Sequence, residues 1–263
     1  RYVFIVRVPI SYNKPHCYYE SMTLVNKKRG ESGNYTVRKF AIRRDDSSEE
    51  MTMDEIRDSF NTSAYITERI RAFRRERIEA INNDDLEIMP VILQDGLKIV
   101  SHVIPYSFID PNRNVDIQSI TSDREILRQL PSGFASYGWH NIDGYIRTGS
   151  PQTPSYYHLI FRSGAAESVS ALKVNEGSQV SLVDVEWIII NDHLTTSMAV
   201  LSALKVELPV IVGLGLSNIK NVVLTPKYRI SWDDGRQEPI LRSTAILPSI
   251  MLEKYVTTPQ EIA

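Results

Sequence analysis

Hydrophobic positions along the chain alternate between two periods. Tyr2–Val8 alternates and is rich in β-branched and aromatic side chains, which predicts a strand closed by Pro9. Met22–Val25 and Tyr35–Arg43 read as two short strands on either side of the basic loop NKKRGESGN. From Met53 the period lengthens. Ile66, Ile70, Phe73 and Ile81 recur at nearly helical spacing and predict a core-facing stripe. Ser and Thr residues with acids in SSEEMTMDE predict the helix start, and Asn61, Thr62 and Ser63 offer caps for a second helical piece.

Beyond a linker at Asn82–Glu87, Ile88–Leu93 and Lys98–Ile104 read as a hairpin-like pair ending at Pro105. Asp123–Leu130 predicts a short helix. FASYGWHNIDGYIRTG predicts a turn between extended segments, and SYYHLIF and AAESVSAL two strands. Ile189, Leu194, Met198, Leu201 and Leu204 predict a helix, LPVIVGLGL a strand, and KYRISWDDGR a further strand with a turn. The longest apolar runs, VEWIII and LPVIVGLGL, suit buried strands or a tight helix start and fall short of the roughly 20 residues of a membrane helix. The pattern predicts an α+β protein: strands at 1–48, a helical connector at 49–83 and a C-terminal mixed α/β domain at 84–263. The sequence opens at Arg1 on a strand already under way, the pattern expected of the later portion of a longer polypeptide.

The 263 residues are 42% hydrophobic and 24% charged, with a net charge of −2, so nucleic-acid binding would have to come from a local patch. The lone Cys17 excludes an internal disulfide framework and a cysteine zinc site, and suits a reducing cytoplasm. Five arginines run from Arg69 to Arg77 with Glu76 among them, and Arg71, Arg74 and Arg75 fall at i, i+3 and i+4. That spacing predicts one shared face, on which like charges repel unless an anion such as phosphate offsets them. The alternative is a solvated face braced by Glu68, Glu76 and Glu79, with Arg75 and Glu79 correctly spaced to pair.

The other candidates are weaker. Asp45, Asp46, Glu49 and Glu50 could hold a hard metal ion, but acids before a helix ordinarily complement its dipole. His140, Asp143 and His158 could form an acid–base pair, yet no nucleophile-elbow motif accompanies them. Trp139, Tyr145, Tyr156 and Tyr157 could stack bases or fill a core. GLGLSNIK lacks both the third glycine of a dinucleotide loop and the GK[ST] of a P-loop, so packing or a tight turn is its default role. No catalytic or metal site is assigned, and the cofactor stays unknown.

The order RVPISYNKPH, FAIRRDD, MDEIRDSF, TERIRAFRRERI and LKIVSHVIPYSFID resembles bacterial proteins with a Schlafen-like, AlbA-type domain described as DNA-binding or ATP-binding. NIDGYIRT, YHLIFRSGAAESV and LPVIVGLGLSNIKNVVL resemble the region that follows in such proteins. The resemblance implies that 1–48 holds the closing strands of a Schlafen-like α/β domain, in a nucleic-acid-associated protein of defence or regulation with the nuclease carboxylates upstream of this chain. It places Lys14, His16, Arg43 and Arg44 near a phosphate-bearing ligand. With the helix arginines, the expected contact set is Lys14, His16, Arg43, Arg44, Arg71, Arg74 and Arg75. Expected partners are nucleic acid and a second copy of the chain, with no membrane. A protein-interaction or oligomerisation module is the alternative.

Overall fold

The structure is a computed structural model that describes residues 15–26, 31–44, 47–130, 136–174, 179–225 and 238–255. The expected strand at Tyr2–Val8, the candidate residues Lys14, Asp45 and Asp46, and the KYRISWDDGR strand lie outside the described residues. The fold is mixed α+β, with sheets that are antiparallel apart from one short parallel pair. It divides into two compact units, 1–69 and 70–263, with the division inside the long helix rather than at its ends.

In the first unit, β1 (Cys17–Asn26) and β2 (Glu31–Arg44) form a long antiparallel ribbon, and β3 (Ser47–Glu50) pairs with the end of β2. SSEE is therefore a strand and not a helix lead. The cap lies two residues later. Thr52 Oγ1 accepts from the Glu55 amide at 3.3 Å, while Glu55 Oε2 accepts from the Thr52 amide at 2.8 Å, a reciprocal capping box. It opens α1 (Met53–Asn83), a single helix of 31 residues. The expected second start at Asn61–Ser63 does not occur, because Thr62 turns its hydroxyl back to the Asp58 carbonyl at 2.8 Å instead of capping.

The second unit contains the rest of α1, and its apolar stripe explains why. Ile70, Ile78 and Ile81 are all buried, as is the aliphatic stem of Arg77. The helix ends where Asp84 takes a left-handed conformation (φ 53°). There the Lys98 ammonium donates to the Ile81 carbonyl at 2.8 Å and to Asp84 Oδ1 at 2.6 Å, placing a cation at the helix's negative end.

Lys98 belongs to β4 (Leu97–Pro105), every residue of which is buried. Its near-continuous apolar run reflects cover on both faces of the sheet. β4 pairs with neighbours distant in sequence, β8 and β10, and not with Ile88–Leu93. That segment is irregular. Pro90 lacks an amide for a ladder, the Ile88 carbonyl accepts from Arg77 Nη1 at 2.6 Å, and Gln94 bonds to Pro154 and Ala171.

A 3₁₀ turn (Tyr106–Ile109) and two short helices, α2 (Ser119–Ser122) and α3 (Arg124–Gln129), follow. β5 (Tyr137–His140), β6 (Gly144–Thr148), β7 (Tyr156–Phe161) and β8 (Ala166–Leu172) then form a meander. After β9 (Gln179–Ser181), the VEWIII run becomes helix rather than strand. Ser181 Oγ caps α4 (Leu182–Trp187) by accepting from the Val183 amide, and Asp184 occupies its first turn. A π-helical stretch (Ile188–Leu194) leads into α5 (Thr195–Ala203).

β10 (Val210–Ser217) then adds to β4, β11 (Val223–Thr225) pairs in parallel with β9, and β12 (Thr244–Ile246) and β13 (Ile250–Leu252) pair with β10. The eight-stranded order is β12-β10-β4-β8-β7-β6-β5, with β13 beside β12 on β10.

Strand alternation divides the unit into layers. One sheet face carries His102, Tyr157 and Glu167 and meets the second half of α1. The other carries Val103, Ile160, Val210 and Val212 and packs on Leu194, Met198 and Leu201. The GLGL glycines are packing positions, as their default role predicts. A Cβ at Gly213 would lie 2.0 Å from Arg74 Nε, and one at Gly215 would lie 2.8 Å from Ile78 Cδ1. Their bareness lets α1 lie close against β10.

Candidate functional site

The expected contact residues separate into different environments. His16 and Arg43 are exposed in the first unit, and Arg43 makes an interaction of its own. Arg44 is engaged by acids: its Nε lies 3.3 Å from Glu49 Oε2, and its Nη2 bonds Glu55. In the second unit Arg71 and Arg75 are exposed, whereas Arg74 is only 4% exposed.

The expectation that Arg71, Arg74 and Arg75 share one solvent face is thus corrected. Arg74 turns to the sheet over Gly213, donating to the Leu214 carbonyl at 3.1 Å and to Ser249 Oγ. A guanidinium committed in this way is not available to phosphate, so Arg74 leaves the contact set. The bracing pair expected between Arg75 and Glu79 does not form either, and Arg75 has no ion pair among the described residues.

The β1–β2 ribbon holds a feature that the sequence reading missed. Tyr19 and Arg38 lie directly opposite each other, and the Arg38 guanidinium carbon sits 5.5 Å from the centre of the Tyr19 ring. Tyr19 is 65% exposed, and Tyr18 beside it is also exposed. The neighbouring cation differs: Lys39 is held by Glu20 at 2.9 Å and Glu50 at 3.5 Å, with its pKa raised by the Glu20 bond and charge. Arg38 therefore presents a cation on an aromatic plane with no carboxylate among the described residues upon it. The cross-strand register of the two segments flanking KKRG was the signal that could have found this pair.

The deepest polar centre lies between α1 and the sheet. Glu167 is wholly buried and accepts four bonds: Arg77 Nε at 2.8 Å, Arg77 Nη2 at 2.6 Å, the Tyr157 hydroxyl at 2.7 Å and His102 Nε2 at 2.9 Å. Burial alone would raise its pKa, but the Arg77 charge and the bonds from Arg77 and His102 outweigh that and hold it well below the usual carboxylate range. Burial pushes the Tyr157 hydroxyl up, and the Glu167 charge adds to the shift.

Burial, reinforced by the charges of Arg74 and Arg77, lowers His102 despite its bond to Glu167. A neutral His102 donates through Nε2 and leaves Nδ1, which has no partner among the described residues, as a bare acceptor. Phe73 and Phe161 close around Arg77 and His102. Arg77, Tyr157 and His102 all converge on Glu167, and Arg77 also ties to the Ile88 carbonyl, which makes this centre an internal brace.

On the opposite sheet face, the π-helical stretch delivers His193 between two serines. Ser101 Oγ lies 2.9 Å from its Nδ1 and Ser170 Oγ lies 2.8 Å from its Nε2. His158 bonds Ser168 at 2.7 Å and stands edge-on to His193. Burial, then the Arg147 charge, lowers His158 to about 4; burial and the neighbouring His158 push His193 well down.

The expected acid–base group does not assemble. His140 is on β5 and His158 on β7, with β6 between them, and Asp143 is bonded by Asn141. Tyr145 and Tyr157 are core residues, as the core reading of those aromatics anticipates. Among the described residues, no group of three or more His, Cys, Asp and Glu side chains is placed to hold a metal ion, and no helix is long and apolar enough to cross a membrane. Compared with known proteins, the chain matches no family model, no curated protein and no solved structure.

Proposed function

We propose that the chain is a cytoplasmic nucleic-acid-associated protein whose β1–β2 ribbon contacts the nucleic acid. It would support or regulate a Schlafen-like nucleic-acid-binding or nuclease domain in bacterial defence or transcriptional regulation. The observation that carries the contact is Arg38 stacked over the exposed Tyr19 ring. An aromatic plane takes a base face, and a guanidinium supplies both a cation and a fork for phosphate. A two-stranded ribbon also fits the width of a duplex major groove. In the sequence Lys27, Lys28, Arg29 and Gly30 separate Asn26 from Glu31, so positive charge is concentrated between β1 and β2 along the chain. His16 and Arg43 on the first unit, and Arg71 and Arg75 on the second, are further candidate contacts.

The test is binding of a labelled single-stranded RNA and a duplex DNA across a salt series. A Tyr19→Ala/Arg38→Glu variant is expected to bind at least about tenfold more weakly, with a salt slope shallower by about 1. An Arg71→Glu/Arg75→Glu variant, with Arg74 left intact, reports separately on the helix. Wild-type binding equal to that of the ribbon variant would remove the ribbon contact, and no wild-type binding to either probe would end the nucleic-acid reading.

An oligomerisation module is the second reading, and the β5 end of the sheet favours it. Tyr137 is exposed there and Ile142, in the β5–β6 turn, is 87% exposed, with Trp139 partly buried between them. An apolar edge strand is a surface for pairing with another chain. Under this reading light scattering shows a dimer that Trp139→Ser/Ile142→Lys converts to monomer. A wild type that is monomeric at all concentrations removes it. Tyr157, buried against Glu167, is unsuited to that test.

A further inference from the structure

Between α4 with the π-helical stretch on one side and β10, β12 and β13 on the other lies a cavity of about 430 Å³. That size falls within the range of small-molecule sites, roughly 300–1,000 Å³. Its walls include Val185 and Ile189 from the helical side and Leu214, Leu216 and Ile250 from the strands. Two lining side chains alone carry a charge or a hydrogen-bonding group, Glu186 from α4 and Arg242 from the segment before β12. Among the described residues neither has an ion-pair partner, and they are not paired with each other.

These features constrain an occupant. A polar group set among the aliphatic walls would lose its water without gaining a hydrogen bond, so the occupant's body must be hydrocarbon. Its head meets the solvent-exposed guanidinium of Arg242, whose planar fork matches a carboxylate. Glu186 in the same lining opposes a second negative charge, which selects a monoanion over a phosphate monoester.

We propose that this cavity is a binding site for a hydrocarbon-chain monocarboxylate of the fatty-acid type, with its carboxylate on Arg242 and its chain along Leu214 and Leu216. The site is independent of the nucleic-acid contact. It uses different residues, and its test uses no nucleic acid.

Calorimetric titration of the full chain with decanoate, decanol, decylamine and decyl phosphate tests it. Decanoate is expected to bind at one site per chain, at least about tenfold more tightly than the other three. Arg242→Gln, an exposed position, is expected to weaken decanoate about tenfold and leave decanol unchanged. Ile250→Trp, at a half-exposed wall position, is expected to weaken decanoate and decanol together by narrowing the cavity. Both substitutions avoid fully buried positions, and circular dichroism checks that each variant folds. Decylamine binding as tightly as decanoate would overturn the carboxylate assignment, because Glu186 would then set the head group. Decanoate binding that neither variant changes, or no decanoate binding by wild type, would overturn the site.

Discussion

Replacing Glu167 with alanine is expected to cost about 3–5 kcal/mol of folding stability, the range for breaking a buried ion pair from one side. The argument rests on what the carboxylate leaves behind. Arg77 loses both of its bonds to Glu167 and keeps the Ile88 carbonyl and the Phe161 ring, so a full charge stays in the core with little to offset it. The Tyr157 hydroxyl and His102 Nε2–H lose their acceptor in the same step. A buried donor without a partner costs roughly 1–3 kcal/mol.

Glu167→Gln keeps the shape but not the charge, and it turns an amide NH₂ toward donors, so it too is expected to be strongly destabilising. The informative comparison is a double replacement, Arg77→Met with Glu167→Leu. Removing both charges at once takes away the desolvation cost together with the attraction, and such swaps are often near neutral. Urea denaturation of the two single variants and the double variant yields the coupling between the positions. A Glu167→Ala variant that loses less than about 1 kcal/mol would show that the centre is not the brace described here.

This brace was hidden in the sequence for a physical reason. Arg77 sits in a run of arginines that reads as a solvent face, and nothing local indicates that its partner lies 90 residues away in AAESVSAL. Arg74 was misread in the same way. The feature that admits it to the sheet is the bare backbone of Gly213, which a local pattern presents as a packing or turn position without naming what packs there. By contrast, the helical spacing of Ile70 and Ile81 declared the buried stripe of α1, and YYHLIF and AAESVSAL read directly as β7 and β8, because spacing and composition are local properties. Strand pairing is not local. The segment Ile88–Leu93 had strand-like composition, yet β4 had better partners in β8 and β10. The VEWIII run has no periodic signature of its own, and the Ser181 cap decided its helical fate. Of the candidate contacts, the exposure of Arg71 and Arg75 agrees with the helical pattern, while the Tyr19–Arg38 pair needed the ribbon register to be visible.

The stability of the second unit is expected to fall as the pH drops below about 6.5, the ordinary histidine value. His102, His158 and His193 are buried as neutral rings, and each has its folded pKa pushed below that value, chiefly by burial. A group with a depressed histidine pKa binds its proton more readily in the unfolded chain. The neutral ring's contribution is therefore complete above about 6.5 and declines with acidification until the folded pKa is reached. For His158 that window closes at about 4. A shift of that size corresponds to about 3 kcal/mol.

Glu167 acts in the same direction. Its folded pKa is depressed, so its contribution is present above the ordinary carboxylate range and is lost as the pH falls through that range toward the folded value. Neither effect opposes the other on the acid side, and the histidines act first. Urea midpoints measured from pH 8 to pH 4.5 are expected to be level above about 7 and then to fall continuously. The decline should be shallower in a His158→Gln/His193→Gln variant, because two of the titrating rings are gone while their serine partners keep a side chain able to hydrogen-bond. Equal wild-type midpoints at pH 7.5 and pH 5 would show that the rings are not held neutral by the fold. A wild-type slope reproduced by the double variant would assign the acid sensitivity to His102 and Glu167 instead.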